Sequence, residues 1–237
     1  WAGMKRTKEE FKTSFRHRTF GASFESEDYA FIDALDKPVA LWTNVLLEEG
    51  IHRNSLVHRE NVIEQHVMDL PDFNDKGAWA EKYADRLENI SEQSENLEEV
   101  KKILSKLKSQ DATNQYTIAI YEQVGALVEY NFKALKKIEA FDLAITADEE
   151  MKILFELQEL IQKFGTFRQE FEKVYSQSRI LNKPENYILD QDHHNHPANQ
   201  SVNFDWQFIS EILFLEKVNT HFKTKTVWQE GTNTILN

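Results

Sequence analysis

The side chains best suited to metal or proton chemistry crowd into one stretch, YILDQDHHNHPANQSVNFDWQF, residues 187–208. His193, His194 and His196 alternate there with Asp190, Asp192 and Asn195, all nitrogen or oxygen donors of the kind that bind zinc or another first-row metal. The spacing argues against a metal. Helix-borne ligand pairs sit three or four residues apart, and no HExxH pattern occurs. Imidazoles so close together on a non-helical segment point in divergent directions, and a metal would need remote ligands that the sequence does not advertise. The stretch suits a polar crossing instead, its side chains satisfying backbone groups that a long non-helical segment leaves unpaired. No metal or cofactor is expected.

The other constellations are weaker. Glu49-Gly-Ile-His52 is the one Glu-x-x-His spacing, and it straddles a glycine, whereas a di-metal carboxylate bundle draws such pairs from two helices. Clustered acids such as Asp148, Glu149 and Glu150, or Glu98 and Glu99, read as solvated faces and first-turn charges that complement the helix dipole. Gly125 and Gly165 stand alone within helical patterns, where close helix packing is the expected reason. Trp42, Trp79 and Trp206 fall at helical positions and are expected in the core. No Walker loop, GxGxxG or Ser/His/Asp order is visible.

Composition narrows the class. Lys and Arg number 28 against 40 Asp and Glu, and the net charge of −12 repels phosphate backbones and anionic lipid surfaces, so neither nucleic acid nor membrane is an expected partner. The absence of cysteine excludes disulfides, thiolate metal sites and a cysteine nucleophile. No apolar run approaches the ~20 residues of a membrane helix. Only 7 Gly and 4 Pro occur, too few for a sandwich of many short strands, which points to long helices.

The elements that would position these residues follow from periodicity and caps. Thr7 opens a capping box with Glu10 ahead of a short helix that presents Phe11 and Phe15 on one face and ends at Gly21. Ser26 caps a second helix, Pro38 kinks it or begins another that ends at Gly50, and a further helix is expected between Ile51 and Asp69. Long helices then run from about Ala78 to Leu107, from about Gln115 to Ile145, and from an Asp148 cap through Val174. The middle one carries two apolar stripes, one through Ile120, Val124, Leu127, Ala134, Ile138, Phe141 and Ile145, the other through Tyr121, Val128, Phe132 and Leu135. A last core-facing helix follows an Asp205 cap and contains Phe208, Ile212, Leu215 and Phe222. The expected fold is all-α: an antiparallel bundle of three to four long helices, shorter N-terminal helices and one long His-rich loop. Two adjacent stripes on one helix exceed what a small bundle must bury, so a homodimer is expected.

The opening WAGMKRTKEEFKTSFRHRTFG, with AFIDALDKPVALWTNVLLEEG and the later KPENYILDQDHHNHPANQSVNFDWQF, resembles the C-terminal region of bacterial β-N-acetylhexosaminidases of glycoside hydrolase family 20 that carry a helical domain after the barrel. The likeness spreads over most of the chain, and no single motif is diagnostic. It implies that residues 1–70 hold short helices with the end of a (β/α)8 barrel and its connection, and that 71–237 form the helical bundle domain. A start at Trp1 fits a piece of a longer protein. The implied role is accessory: supporting an upstream catalytic barrel, mediating dimerisation, or both. The family's catalytic Asp–Glu pair sits on the barrel, and no residue here corresponds to it. Trp1 would line the sugar pocket, since active sites collect at the C-terminal face of such barrels. Asp192 and His194 would touch an N-acetylated glycan if their loop reaches the active-site mouth. Cytoplasm and periplasm both remain open. Two readings from other classes stand beside this one, a free-standing helical interaction module and a metal-binding helical protein using the His-rich loop.

Overall fold

A computed structural model describes residues 6–21, 30–52, 63–109, 114–177 and 208–223. Among them the fold is all-α, with seven α-helices: α1 (Lys8–Phe20), α2 (Ala30–Trp42), α3 (Ala78–Lys82), α4 (Ala84–Ser109), α5 (Gln115–Leu143), α6 (Ala147–Tyr175) and α7 (Ile209–Phe222). α4, α5 and α6 form the antiparallel bundle expected from the three long periodic stretches. Cross-helix pairs record the opposed directions. Lys108 meets Glu122 and Lys101 meets Glu129 between α4 and α5, while Tyr116 and Tyr130 on α5 reach the carbonyls of Tyr175 and Leu160 on α6.

α5 is the central helix. Ile118, Leu127, Val128, Phe132, Leu135, Ile138 and Phe141 are all buried, so both predicted stripes lie largely inside the chain. Phe31 of α2 stands edge-on to Tyr121, and Phe222 of α7 edge-on to Phe141. The surplus apolar face on which a homodimer was expected is therefore covered by the chain's own helices. The core continues without a break from Phe20 to Phe222, joining residues on both sides of the 70/71 boundary.

Several local expectations hold. Thr7 and Glu10 make the reciprocal capping box, with Thr7 Oγ1 accepting from the Glu10 amide at 3.2 Å and Glu10 Oε2 accepting from the Thr7 amide at 2.7 Å. Gly21, at φ 119°, ends α1. Phe208, Ile212, Leu215 and Phe222 are buried, as is Trp79, and Trp42 is half-buried.

Others are corrected. Pro38 sits inside one α2 and does not begin a new helix, because Phe31, Leu35 and Pro38 recur at helical spacing and are all buried as α2 packs on α4 and α5, and that burial offsets the lost backbone hydrogen bond. The helix expected to run on to Gly50 stops at Trp42. Val45, Leu46 and Leu47 are consecutive and all buried, which one helical face cannot achieve. Residues 43–46 instead follow a series of turns, with the Val45 amide donating to the Trp42 carbonyl and the Leu47 amide to the Asn44 carbonyl, wedged into the core as a strap. That strap pairs with a second segment through a single antiparallel bridge, Leu47 to Val67. Where a helix was expected up to Asp69, the described part holds only the 3-10 turn Glu64–His66 and extended chain. The helix from Ala78 breaks at Tyr83, and α6 is capped by Thr146 with Glu149 completing the box, not by Asp148. Asp205, Ser26 and Trp206 lie outside the described residues.

The two helical glycines are not close-packing sites. A Cβ built on Gly125 or Gly165 would meet no atom within 4 Å. Each therefore carries the entropic penalty of a mid-helix glycine without a packing return, and Gly125→Ala and Gly165→Ala are each expected to stabilise the fold by ~0.5–1 kcal/mol, read as a rise in the urea midpoint at constant m-value.

Candidate functional site

Trp1, Asp192 and His194, the three residues singled out for substrate contact, lie outside the described residues, as do Asp190, His193, Asn195 and His196. Among the described residues no group of three or more His, Asp or Glu side chains is placed to hold a metal ion. Glu49 of the Glu-x-x-His spacing is engaged by the Arg86 guanidinium at 3.2 Å, and Gly50 turns the chain at φ 77° between Glu49 and His52.

The most connected polar cluster was not singled out from the sequence. It is built where the two non-helical straps cross the end of α3, the start of α4 and the side of α7. The Glu48 carboxylate accepts from the Tyr83 hydroxyl at 2.9 and 3.0 Å, from Lys82 Nζ at 2.9 Å and from the Asp69 amide at 3.0 Å. Lys82 also reaches Asp69 Oδ2 at 3.2 Å, and Lys217 on α7 donates to the Val67 carbonyl and to Asp69 Oδ1. Trp79 Nε1 donates to the Asp69 carbonyl at 2.7 Å. Arg86 completes the clamp by donating to the Val45 and Leu47 carbonyls at 3.0 and 2.6 Å.

The electrostatics decide what this cluster can do. Burial alone would raise the Glu48 pKa, but the hydrogen bonds from Lys82, Tyr83 and the backbone outweigh it and hold the carboxyl down at about 2. Lys82 is raised above the usual lysine value by its contacts with the Tyr83 hydroxyl and the Glu48 carboxylate, and burial raises Tyr83. Glu48 stays ionised and Lys82 protonated across the physiological range, and neither is poised to exchange a proton or attack an electrophile. The arrangement fastens the straps to the bundle.

A pH dependence follows. The Glu48 pKa lies below its ordinary 4.5, so its contribution is complete above that value and is lost as pH falls through about 2. Glu48→Gln is expected to cost about 1–2 kcal/mol at neutral pH, allowing for solvent screening of a partly exposed group. The gap from wild type should close between pH 4.5 and 2, as measured by denaturant titration.

A second polar site lies in the core. Glu211 on α7 is buried; its Oε1 accepts from Trp42 Nε1 at 3.0 Å and from Asn131 Nδ2 at 2.9 Å, while Oε2 has no hydrogen-bond partner. Burial, with the Glu211 charge nearby, raises the Tyr130 pKa. The sequence signal was present but faint: Ser210 and Glu211 interrupt an otherwise apolar run. The strap cluster has no such signal, because Glu48, Asp69, Tyr83 and Lys217 are far apart in the chain.

Two shallow clefts of about 210 and 310 Å³ follow the crease between α4 and α5, floored by Leu97, Leu104 and Phe132. A third, of about 300 Å³, lies between Glu64 and α7, with Glu216 and Lys217 on its wall. No described helix is long and apolar enough to cross a membrane. No protein-family model, curated protein or solved structure matches the chain.

Proposed function

We propose that the chain is a non-catalytic helical accessory module of a family 20-like glycoside hydrolase, supporting a catalytic barrel upstream of it. The observation that carries the non-catalytic part is the strap cluster. A connected set of acids, lysines and a hydroxyl is committed to fastening residues 44–48 and 67–69 against α3, α4 and α7, with the Glu48 carboxyl held well below the usual range by its hydrogen bonds. The parent enzyme class rests on the sequence resemblance of the opening and of residues 183–208.

The purified chain is expected to show no turnover of a chromogenic N-acetylglucosaminide, and turnover that survives removal of contaminating enzyme overturns the reading. In a longer polypeptide with the barrel, deleting this module is expected to lower the barrel's melting temperature while kcat/KM per folded molecule is retained. A complete loss of kcat/KM with an intact fold would instead place catalytic groups in the module.

A further inference from the structure

We infer that the C-terminal stretch of the chain, residues 224–237, turns back as an intramolecular latch, with Val227 and Trp228 seated on an exposed apolar corner where α5 passes into α6. The latch concerns the chain's own surfaces and holds with or without a barrel upstream.

The corner is short of neighbours. Leu143 at the end of α5 and Ile145 in the link after it are 54% and 93% exposed, and Met151 and Phe155 on the first turns of α6 are 39% and 45% exposed. Met151 and Phe155 stand four residues apart and so share one face of α6. The residue before a helix cap ordinarily packs on the fourth helical residue. Here the cap is Thr146 and that fourth residue is Glu150, which pairs with Lys76 at 2.8 Å, so Ile145 lacks its usual apolar neighbour. Apolar side chains exposed singly are ordinary, whereas four at one bend of the chain form a patch that calls for a cover.

α7 delivers the tail to this place. Its last residue, Phe222, stands edge-on to Phe141 with ring centroids 4.9 Å apart, and Phe141 is two residues before Leu143. Lys76, whose Nζ lies over the Phe141 ring, reaches on to Glu150, the neighbour of Met151. α7 therefore ends beside the last turn of α5 and the first turns of α6.

The other stretches outside the described residues set out from elsewhere. Residues 1–5 and 22–29 flank α1, which is tied through Phe20 and Phe31 to Tyr121 near the start of α5. Residues 110–113 lead into that same start, and 53–62 join the two straps. Residues 178–207 connect the far end of α6 to Phe208, which packs on Phe164 and Phe171. The tail from residue 224 is the stretch that leaves from the corner itself.

Reach and composition suit the tail to the patch. At ~3.3 Å per extended residue, Trp228 has about 20 Å of chain from Phe222, while Phe155 lies only ~14 Å along α6 from its cap. In the tail Lys225 and Glu230 offset each other, and Val227–Trp228 is the first apolar pair after α7. A Trp on so short a tether meets the corner at a millimolar effective concentration, so a contact of modest strength keeps it seated.

The chain has no cysteine, so introduced pairs read the contact directly. Gln229→Cys puts a thiol beside Trp228, and Asp148→Cys puts one on the face of Met151 and Phe155, one turn earlier, with the four apolar side chains intact. Mild oxidation of this double variant is expected to give an intramolecular disulfide at monomer mass, at a rate independent of protein concentration. Gln229→Cys paired with Gln177→Cys, which lies past the other end of α6 and ~45 Å from its start, is expected to close at least ~10-fold more slowly. Adding Trp228→Asp to the first pair is expected to slow closure at least ~10-fold, because the anchor is lost while the tether is unchanged. Far-UV circular dichroism checks that each variant is folded. A first pair that does not close, that closes no faster than the Gln177→Cys pair, or that Trp228→Asp leaves unchanged overturns the latch. A disulfide at dimer mass also overturns it and assigns the corner to a second copy. These readouts record mass alone, so they are independent of the activity assay that tests the accessory role.

Discussion

Glu211→Ala is expected to cost about 3 kcal/mol of stability, while Glu211→Gln is expected to cost less than half as much. The two substitutions separate the side chain's shape from its charge. Alanine removes the acceptor for Trp42 Nε1 and Asn131 Nδ2 and leaves a cavity on the α5-facing side of α7. A buried donor stripped of its acceptor costs ~1–3 kcal/mol and the cavity adds to that. Glutamine keeps an acceptor oxygen for both donors and fills the same space, and what it costs comes from an amide whose N–H groups take the unpartnered place of Oε2. Denaturant midpoints for the two variants check the contrast. A glutamine variant as damaged as the alanine one would show that an acceptor oxygen of the right shape is not what holds this site together.

Arg86→Ala is expected to cost about 2–4 kcal/mol, more than any single surface ion pair contributes. The Arg86 side chain is largely covered, and its guanidinium spans the Val45 and Leu47 carbonyls, Glu49, and the face of the Tyr83 ring. Removing it leaves two strap carbonyls without these donors next to buried Leu46 and Val67. Lysine supplies one point charge in place of a planar fork and is expected to recover less than half of the loss. Because the damage is local to the straps, amide hydrogen exchange should rise first at residues 44–48 and 66–69, while α5 and α6 keep their protection.

The contrast between bundle and straps marks where sequence reasoning works. α5 and α6 were legible to within about two residues because their apolar positions recur at helical spacing and a short polar link parts them, although the cap of α6 is Thr146 and not the expected Asp148. α1 was legible from a capping box, which is a purely local device. Residues 43–50 defeated the same procedure. The run VALWTNVLL is compatible with a helix, and only the neighbours that bury Val45, Leu46 and Leu47 together make a run of turns preferable. At Pro38 the sequence left two alternatives open, and the tertiary structure chose one helix over two, since the local cost of the proline is outweighed by its burial with Phe31 and Leu35.

Read alone, the sequence determined the class of this protein: an acidic, cysteine-free chain whose long periodic stretches can bury their stripes only by packing helix on helix. It also determined most helix spans, because helices bond and cap within themselves. Tertiary structure alone decided which charged groups meet. Glu48, Asp69, Tyr83 with Arg86, and Lys217 gather from four separate stretches, and Glu211 finds Trp42 and Asn131 across three helices. It also decided which apolar faces stay uncovered, turning the Tyr121 and Phe132 stripe inward and leaving Phe11, Phe15, Ile145 and Phe155 outside. The physical reason is the same throughout: periodicity reports what one element must bury, while the identity of its neighbour depends on how the chain returns through space.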